Sequence, residues 1–430
     1  KLRLGILKYT RIMEPKRFAC FDLSHKSIKL LIGYCLGETP IVLYTREAPI
    51  DSLIEGGLIA DREGLKKALS SFAKFDEPEM KLKGTISELC LCLPPFGLKI
   101  YEKNESTTSA SSDQRIGRVD IANVITKVKN ETIPGGNEVV DIIPIQFLLQ
   151  SGEVFANPPV GKQSSSLGVK AMIHTLPKAI AQDYQSLVNE AGFRIKKVAV
   201  APYCQALLYS LDPSLPENYL LVDMGAKTTS LSLIGGGQPY CSAPFHLGSD
   251  DLTDLLSTRL GIGKDKAEEI KKTFGYDKRP FAYSPSLAKG TDPQTGLAKD
   301  VDQKAVNAVI EEYFDAFFTQ FQAAFLTLFP SDKETLAPFP LLLTGGGSQL
   351  AGLPSFFQRH FPNRPILFPL PRVIGCRDPR FSACLGLLIA SSHYTGSLED
   401  NYHGVAQVTR MSQKKEKKER RSDSPNEDAL

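Results

Sequence analysis

Three short segments carry residues that could hold an anion and a metal ion. They are Phe21-Asp22-Leu23-Ser24-His25-Lys26-Ser27, Val222-Asp223-Met224-Gly225-Ala226-Lys227-Thr228-Thr229 and Leu343-Thr344-Gly345-Gly346-Gly347-Ser348. Each reads as a strand that ends in small or hydroxylic residues. A tight turn after a strand aims successive backbone N–H groups at one point, which makes an anion nest. Small residues let phosphate oxygens approach closely. An Asp closing the strand can hold the water shell of Mg²⁺, an ion that keeps several of its waters. Any one segment alone reads more simply as a plain hairpin. Together they have the spacing of two lobes, each opening on a β-hairpin that contributes one phosphate turn, with a third turn just before a final helix.

Hydrophobic patterning supplies the elements that must position these turns. Residues 17–23, 28–36 and 40–47 are β-rich runs joined by short turns. Leu65, Leu69 and Phe72 share one helical face within 65–75. Residues 88–100 give a strand broken by Pro94-Pro95, 104–114 a Ser/Thr-rich loop, 119–129 a helix and 138–149 an alternating strand. The second half repeats the theme. Strands are expected at 196–201 and 219–234, a hairpin turn at Gly235-Gly236-Gly237, and helices at 249–260 and 265–274. A mobile loop rich in Pro, Gly, Ser and Lys covers 276–300. A long helix over 303–329 carries Phe314, Phe317, Phe318, Phe321 and Phe325 at helical spacing, which reads first as a core stripe. A strand at 338–344 and a closing helix at 380–392 complete the order.

Composition narrows the classes. The chain has 430 residues, 42% of them apolar and 23% charged, which allows two to four structural units and more than one core. A net charge of +3, with its one dense basic run in the tail, argues against nucleic acid as a partner. None of Cys20, Cys35, Cys90, Cys92, Cys204, Cys241, Cys376 and Cys384 forms a C-x-x-C pair or sits near a His at zinc-finger spacing. They read as small buried hydrophobes in a reducing, cytoplasmic setting. No apolar run of about 18 residues marks a membrane span. Met13 directly precedes the first strand and is the expected natural start, with 1–12 an extension. Residues 396–430, including KKEKKERR at 414–421, read as a disordered charged tail.

At this point the residues resemble a known family: the actin-like ATPase superfamily, and within it the bacterial FtsA proteins. The resemblance makes Asp22–Ser27 phosphate motif 1, Asp223–Thr229 phosphate motif 2 and Thr344–Gly347 the adenosine motif. It extends over about 17–392. Glu55–Asp61 is similar to a Gly-rich turn before the first helix, Val140–Phe147 to an "HVIPQEY" strand, and Asn157–Gly161 to an "NPVG" turn. Ala267–Lys271 looks like the helix whose Glu and Lys face the adenosine, and Asp378–Leu388 like the closing helix. The departures are in the phosphate turns. Ser24, His25 and Ser27 stand where motif 1 has Gly, a hydroxyl residue and Lys, with Lys26 one place early. Ala226, Lys227 and Ser230 stand where motif 2 has Gly, Gly and Asp.

The resemblance implies an α/β, actin-like (ribonuclease-H-like) two-lobed fold with an inserted FtsA-type subdomain. The implied units are a first lobe (13–85, 166–194 and 366–395), an insert (86–165), a second lobe (195–242 and 331–365) and an outer subdomain (243–330). It implies ATP and Mg²⁺ in the interlobe cleft. The nucleotide would meet Asp22, Ser24, His25, Lys26, Ser27, Gly225, Lys227, Thr228, Glu268, Lys271, Gly345, Gly346 and Gly347. The metal would lie near Asp22 and Asp223, and Asp223 would orient a water for weak hydrolysis. Implied partners are a second copy of the chain and a tubulin-like FtsZ, bound on 243–330 near the helix starting at Val301. Peripheral contact with the cytoplasmic face of the cell membrane stays open. The altered turns support an alternative, a nucleotide-free or PilM-like adaptor in a membrane-associated assembly complex, with Lys227 in the place of a phosphate. A sugar-kinase-type enzyme is the weakest reading, because the first lobe offers no catalytic carboxylate.

Overall fold

Two five-stranded sheets with the same internal order organise the chain. The computed structural model describes residues 15–392 apart from 51, 78–81, 131–132, 134–135, 278, 280–284 and 330–338. The expected extension 1–12, the start at Met13 and the tail from 396 lie outside the described residues.

The chain begins with an antiparallel meander, β1 (Phe18–Leu23), β2 (Ser27–Leu36) and β3 (Thr39–Pro49). Two short strands, β4 (Ile54–Glu55) and β5 (Leu58–Ile59), lead to helix α1 (Arg62–Ser70). Asp61 starts α1 by accepting the Gly64 N–H at 2.9 Å, a satisfied N-cap. After the hairpin β6 (Lys74–Glu77) and β7 (Leu82–Thr85), β8 (Glu88–Leu93) joins β1 in parallel. Pro94-Pro95 then breaks the run, since proline cannot donate to a ladder.

The chain next builds a separate four-stranded sheet. Its members are β9 (Lys99–Thr108), β10 (Asn137–Leu149), β11 (Val154–Phe155) and β12 (Ser166–Pro177), in the order β11-β10-β12-β9. Helix α2 (Arg118–Asn130) buries Ile121, Val124, Ile125 and Val128 against Phe147, Leu167, Val169 and Ile173. Residues 104–108 are thus strand, not the expected Ser/Thr loop. Ladder pairing with β12 from Lys99 to Thr108 overrides their weak local preference.

Helix α3 (Lys178–Glu190) returns the chain to the first sheet, which β13 (Arg194–Val200) completes in the order β13-β8-β1-β2-β3. The second lobe is expected from residue 195. Parallel pairing of Arg194–Val200 with Glu88–Leu93 puts this strand in the first sheet instead. Likewise β12, read as first-lobe chain, belongs to the four-stranded sheet.

Helix α4 (Ala201–Ser210) leads to the second meander, β14 (Asn218–Met224), β15 (Thr229–Gly235) and β16 (Gln238–Phe245). Helices α5 (Ser249–Leu260) and α6 (Lys264–Thr273) follow. Next comes a hairpin, β17 (Ala288–Thr291) and β18 (Ala298–Val301), within the stretch expected to be one mobile loop. Helix α7 (Gln303–Leu328) is capped by Asp302, which accepts from the Ala305 N–H at 2.9 Å. Its aromatic stripe is core. Phe314, Phe317, Phe318 and Phe321 are buried, and Phe314 stacks on Phe356 of α8 (Leu353–His360) at 4.2 Å between ring centres. Strands β19 (Leu341–Thr344) and β20 (Ile366–Leu367) add in parallel to β14, giving β16-β15-β14-β19-β20. Helix α9 (Ser382–Ser392) closes the described chain against β1, β2 and α4.

Cys20, Cys90, Cys92, Cys204 and Cys384 are buried in the core of the first sheet, and no cysteine is paired in a disulfide. Burial pushes the thiols of Cys20 and Cys384 well up, which makes them inert hydrophobes. No helix among the described residues is long and apolar enough to cross a membrane.

His174 on β12 is fully buried, and neither ring nitrogen has a hydrogen-bond partner among the described residues. Burial, then the charge of Lys197, pushes it down to about 3 from 6.5. Asp141, Lys197 and Tyr203 are titratable groups near it. Its depressed value means that its contribution to stability is complete above pH 6.5 and is lost as the pH falls from 6.5 toward 3. Melting curves between pH 4 and 7 are expected to fall with acid, and less steeply in His174→Leu. Parallel curves would show that another group carries the acid sensitivity.

Candidate functional site

Each meander delivers its first turn to one cleft of about 790 Å³, within the size range of small-molecule sites. The turn between β1 and β2 is closed by the Ser24 N–H donating to Ser27 O at 3.1 Å. The turn between β14 and β15 is closed by the Gly225 N–H donating to Thr228 O at 2.9 Å. Gly225 is required there, since a Cβ would lie 2.8 Å from Thr228 O. Among the described residues the backbone N–H groups of His25, Lys26 and Ala226, all in the cleft lining, make no hydrogen bond. The two turns thus keep free donors although Ser24, Ala226 and Lys227 replace glycine.

The third turn follows β19. Parallel pairing of β14 with β19 sets Asp223 beside Thr344. Gly345, at φ +83°, then passes so close that a Cβ would lie 2.4 Å from Asp223 Oδ1. Only glycine adopts this conformation and allows this approach without strain.

Two carboxylates and one ammonium form the floor. The β1–β2 register places Lys29 opposite Asp22, and Lys29 Nζ donates to Asp22 Oδ2 and to Ser24 Oγ, both at 3.2 Å. Burial alone would lower the Lys29 pKa, but Asp22, Cys384 and Glu47 together outweigh it and the net direction is up. Burial raises Asp223, and the nearby Asp22 adds to this, against the Gln205 hydrogen bond and Lys29. Gln205 Nε2 donates to Asp223 Oδ2 at 2.9 Å and to Ser382 Oγ at 3.1 Å, while its Oε1 is buried without a partner among the described residues.

The far wall comes from α5 and α6. Lys271 Nζ, buried, donates to Ser249 O at 2.9 Å and Thr253 Oγ1 at 2.7 Å and pairs with Glu268 at 2.6 Å. Burial opposes ionisation of Glu268, but hydrogen bonds from Lys271 and Thr253 hold its carboxyl at about 2. Burial lowers Lys271, and its three acceptors keep it a donor. On the other side Arg380 packs along Gly346 and pairs with Glu47 at 2.8 Å, which in turn accepts from Ser27 Oγ at 2.7 Å. Lys26 crosses from the first turn to Asp250 on α5 at 2.6 Å.

The cleft therefore gathers Asp22, Ser24, His25, Lys26, Ser27, Asp223, Gly225, Thr228, Glu268, Lys271 and Gly345–Gly347. Lys227 is the exception. Its ammonium pairs with Asp254 at 3.2 Å and Asp251 at 3.6 Å on α5, away from the cleft lining. The carboxylates of the first two turns of α5 draw it off, so it does not stand in for a phosphate.

Lys29 and Gln205 were missed in the sequence. A lone Lys in the apolar run Ser27–Gly33 was a readable signal for the first. Gln205 had none, because α4 is buried on every side and shows no polar face.

No three or more His, Cys, Asp or Glu side chains are grouped to hold a metal by themselves among the described residues. Asp22 and Asp223 nevertheless suit Mg²⁺, which takes one or two carboxylates and completes its shell with waters and phosphate oxygens.

Comparison with known proteins identifies the family and the fold. A family model described as "Cell division protein FtsA" matches residues 220–386, and one described as "SHS2 domain inserted in FTSA" matches 97–175. The chain is similar to the cell division protein FtsA of Bacillus subtilis, 20% identical over 380 residues, covering 86% of this chain and 82% of the relative. It is 25% identical over 381 residues to that of Borreliella burgdorferi, covering 84% and 91%. A chain of a PilM-PilN type IV pilus biogenesis complex shares the fold with TM-score 0.55 and 16% identity, covering 87% of this chain and 98% of that one. The ethanolamine utilization protein EutJ from Carboxydothermus hydrogenoformans does so with TM-score 0.50 and 14% identity, covering 88% and 91%. With two models of one family matching more than half of its length, on an actin-like fold that carries that family's inserted domain, the chain belongs to the FtsA family.

Proposed function

We propose that this chain is an actin-like cell-division scaffold that binds Mg-ATP between its lobes, self-associates and recruits a tubulin-like FtsZ to the division site. The cell-division role follows the names of its relatives. The nucleotide rests on one observation: two facing turns with free backbone donors stand over a floor of Asp22, Lys29 and Asp223. The turn amides and Lys29 would take the phosphates. Asp22 and Asp223 would hold Mg²⁺ through water, and the ion would neutralise charge on the phosphate oxygens. Glu268 and Lys271 would face the ribose, and Gly345–Gly347, with Arg380 packed behind Gly346, the base. Asp223, oriented by Gln205, would position a water, so turnover would depend mainly on positioning.

Calorimetry with Mg-ATP on the full chain tests the site. Micromolar binding supports it, and absence of heat favours the nucleotide-free adaptor reading. Lys227→Gly is expected to change the affinity less than about threefold, because that ammonium is engaged by exposed carboxylates on α5. A large gain in affinity would return Lys227 to the phosphate position. Co-sedimentation with FtsZ polymers tests recruitment: the chain is expected in the pellet, and a chain left wholly in the supernatant would overturn it.

A further inference from the structure

The segment Pro94-Pro95-Phe96-Gly97 is the one stretch of chain between β8 and the inserted domain, whose family model begins at residue 97. The Phe96 ring does not follow the chain into that domain. It lies nearly parallel to the ring of His246, at 5.8 Å and 19°, and edge-on to His25, at 6.0 Å and 69°. His25 belongs to the first phosphate-type turn. His246 follows β16 and belongs to the second meander. Gly57, at φ +81°, abuts the same ring, where a Cβ would lie 2.1 Å from Phe96 Cδ2. A Cβ on Gly56 would make ordinary contact with the His246 ring, 3.6 Å from its Cε1. One aromatic side chain is thus clamped between both lobes at the cleft it lines.

The next residue fixes the other end. Gly97, at φ +70°, passes so close to Pro177 that a Cβ would lie 2.6 Å from the Pro177 ring. Pro177 ends β12, where the chain leaves the inserted domain. Entry and exit crossings therefore pack on each other, one residue from the clamped ring. Pro94 and Pro95 restrict φ before it, which leaves little slack to absorb a displacement.

We propose that Phe96 is a latch: held between His25 of one lobe and His246 of the other, it couples the closure of the cleft to the position of the inserted domain. A change in the distance between the lobes moves the ring, and the ring moves Gly97, Pro177 and the strands they begin and end. The latch exists whatever occupies the cleft; that the occupant is a nucleotide rests on the reading above.

The test uses the full chain without ligand, so a failure to bind Mg-ATP would not bear on it. Histidine ¹H–¹³C spectra report the stack, and amide hydrogen exchange over Lys99–Thr108 and Met172–Pro177 reports the inserted domain. In Phe96→Ala the ring signals of both His25 and His246 are expected to shift. His246→Ala changes only the second lobe, yet exchange in those two segments is expected to rise about tenfold. The double variant is expected to exchange no faster than either single one, because both remove the same link. Unshifted histidine signals, unchanged exchange in His246→Ala, or additive effects in the double variant would each overturn the latch.

Discussion

Lys29→Met is expected to weaken Mg-ATP binding about a hundredfold and to destabilise the ligand-free chain. The affinity loss follows from removing one charge-assisted hydrogen bond to a phosphate, about 1.5–3 kcal/mol. The stability loss has a separate origin. The Lys29 side chain is 10% exposed and that of Asp22 18%, and the ammonium is what compensates Asp22 where it faces Asp223. Removing one partner of such a buried pair costs about 3–5 kcal/mol, because the remaining charge is left uncompensated. Lys29→Met/Asp22→Asn is therefore expected to recover much of the stability without recovering the binding. Urea midpoints and calorimetric affinities for the three proteins separate the two effects. Wild-type affinity in Lys29→Met would mean that the ammonium serves only Asp22 and not a ligand.

Gly386→Ala is expected to lower the unfolding free energy by about 3 kcal/mol. In an ordinary helix interior the same change stabilises by roughly 0.5–1 kcal/mol, so the sign itself is diagnostic. Here α9 crosses α4 so closely that the new Cβ would lie 1.7 Å from Cys204 O and 2.2 Å from its carbonyl carbon. The obstacle is backbone, which no rotamer change can move. The helices must separate, and overpacking of this kind costs about 1–3 kcal/mol or more. The separation also reaches the cleft, since α4 carries Gln205 and α9 begins with Ser382, the two side chains joined at 3.1 Å beside Asp223. A denaturant midpoint at or above that of the wild type would show that the two helices have room to spare.

The sequence by itself determined the parts of this protein that depend on local signals. Strand runs ending in Asp and small residues located all three turns, since a turn after a strand is a short-range pattern. The spacing of Phe314–Phe325 marked one buried face of a long helix, because burial on one side imposes a period of 3.6 residues. The order of these parts was enough to carry the family resemblance.

Tertiary structure alone decided what those parts meet. Lys29 became the floor of the cleft through hairpin register, which sets a residue inside an apolar strand opposite an Asp seven positions earlier. Gln205 reached Asp223 from a helix buried on all sides, where no periodicity marks a functional face. Lys227, inside a phosphate-type turn, has its ammonium drawn off by Asp251 and Asp254, which are near it only once α5 packs. Residues 104–108 became strand because β12 offers them a ladder. In each case the deciding partner lies far along the chain or on another element, and its energy enters only when the elements pack.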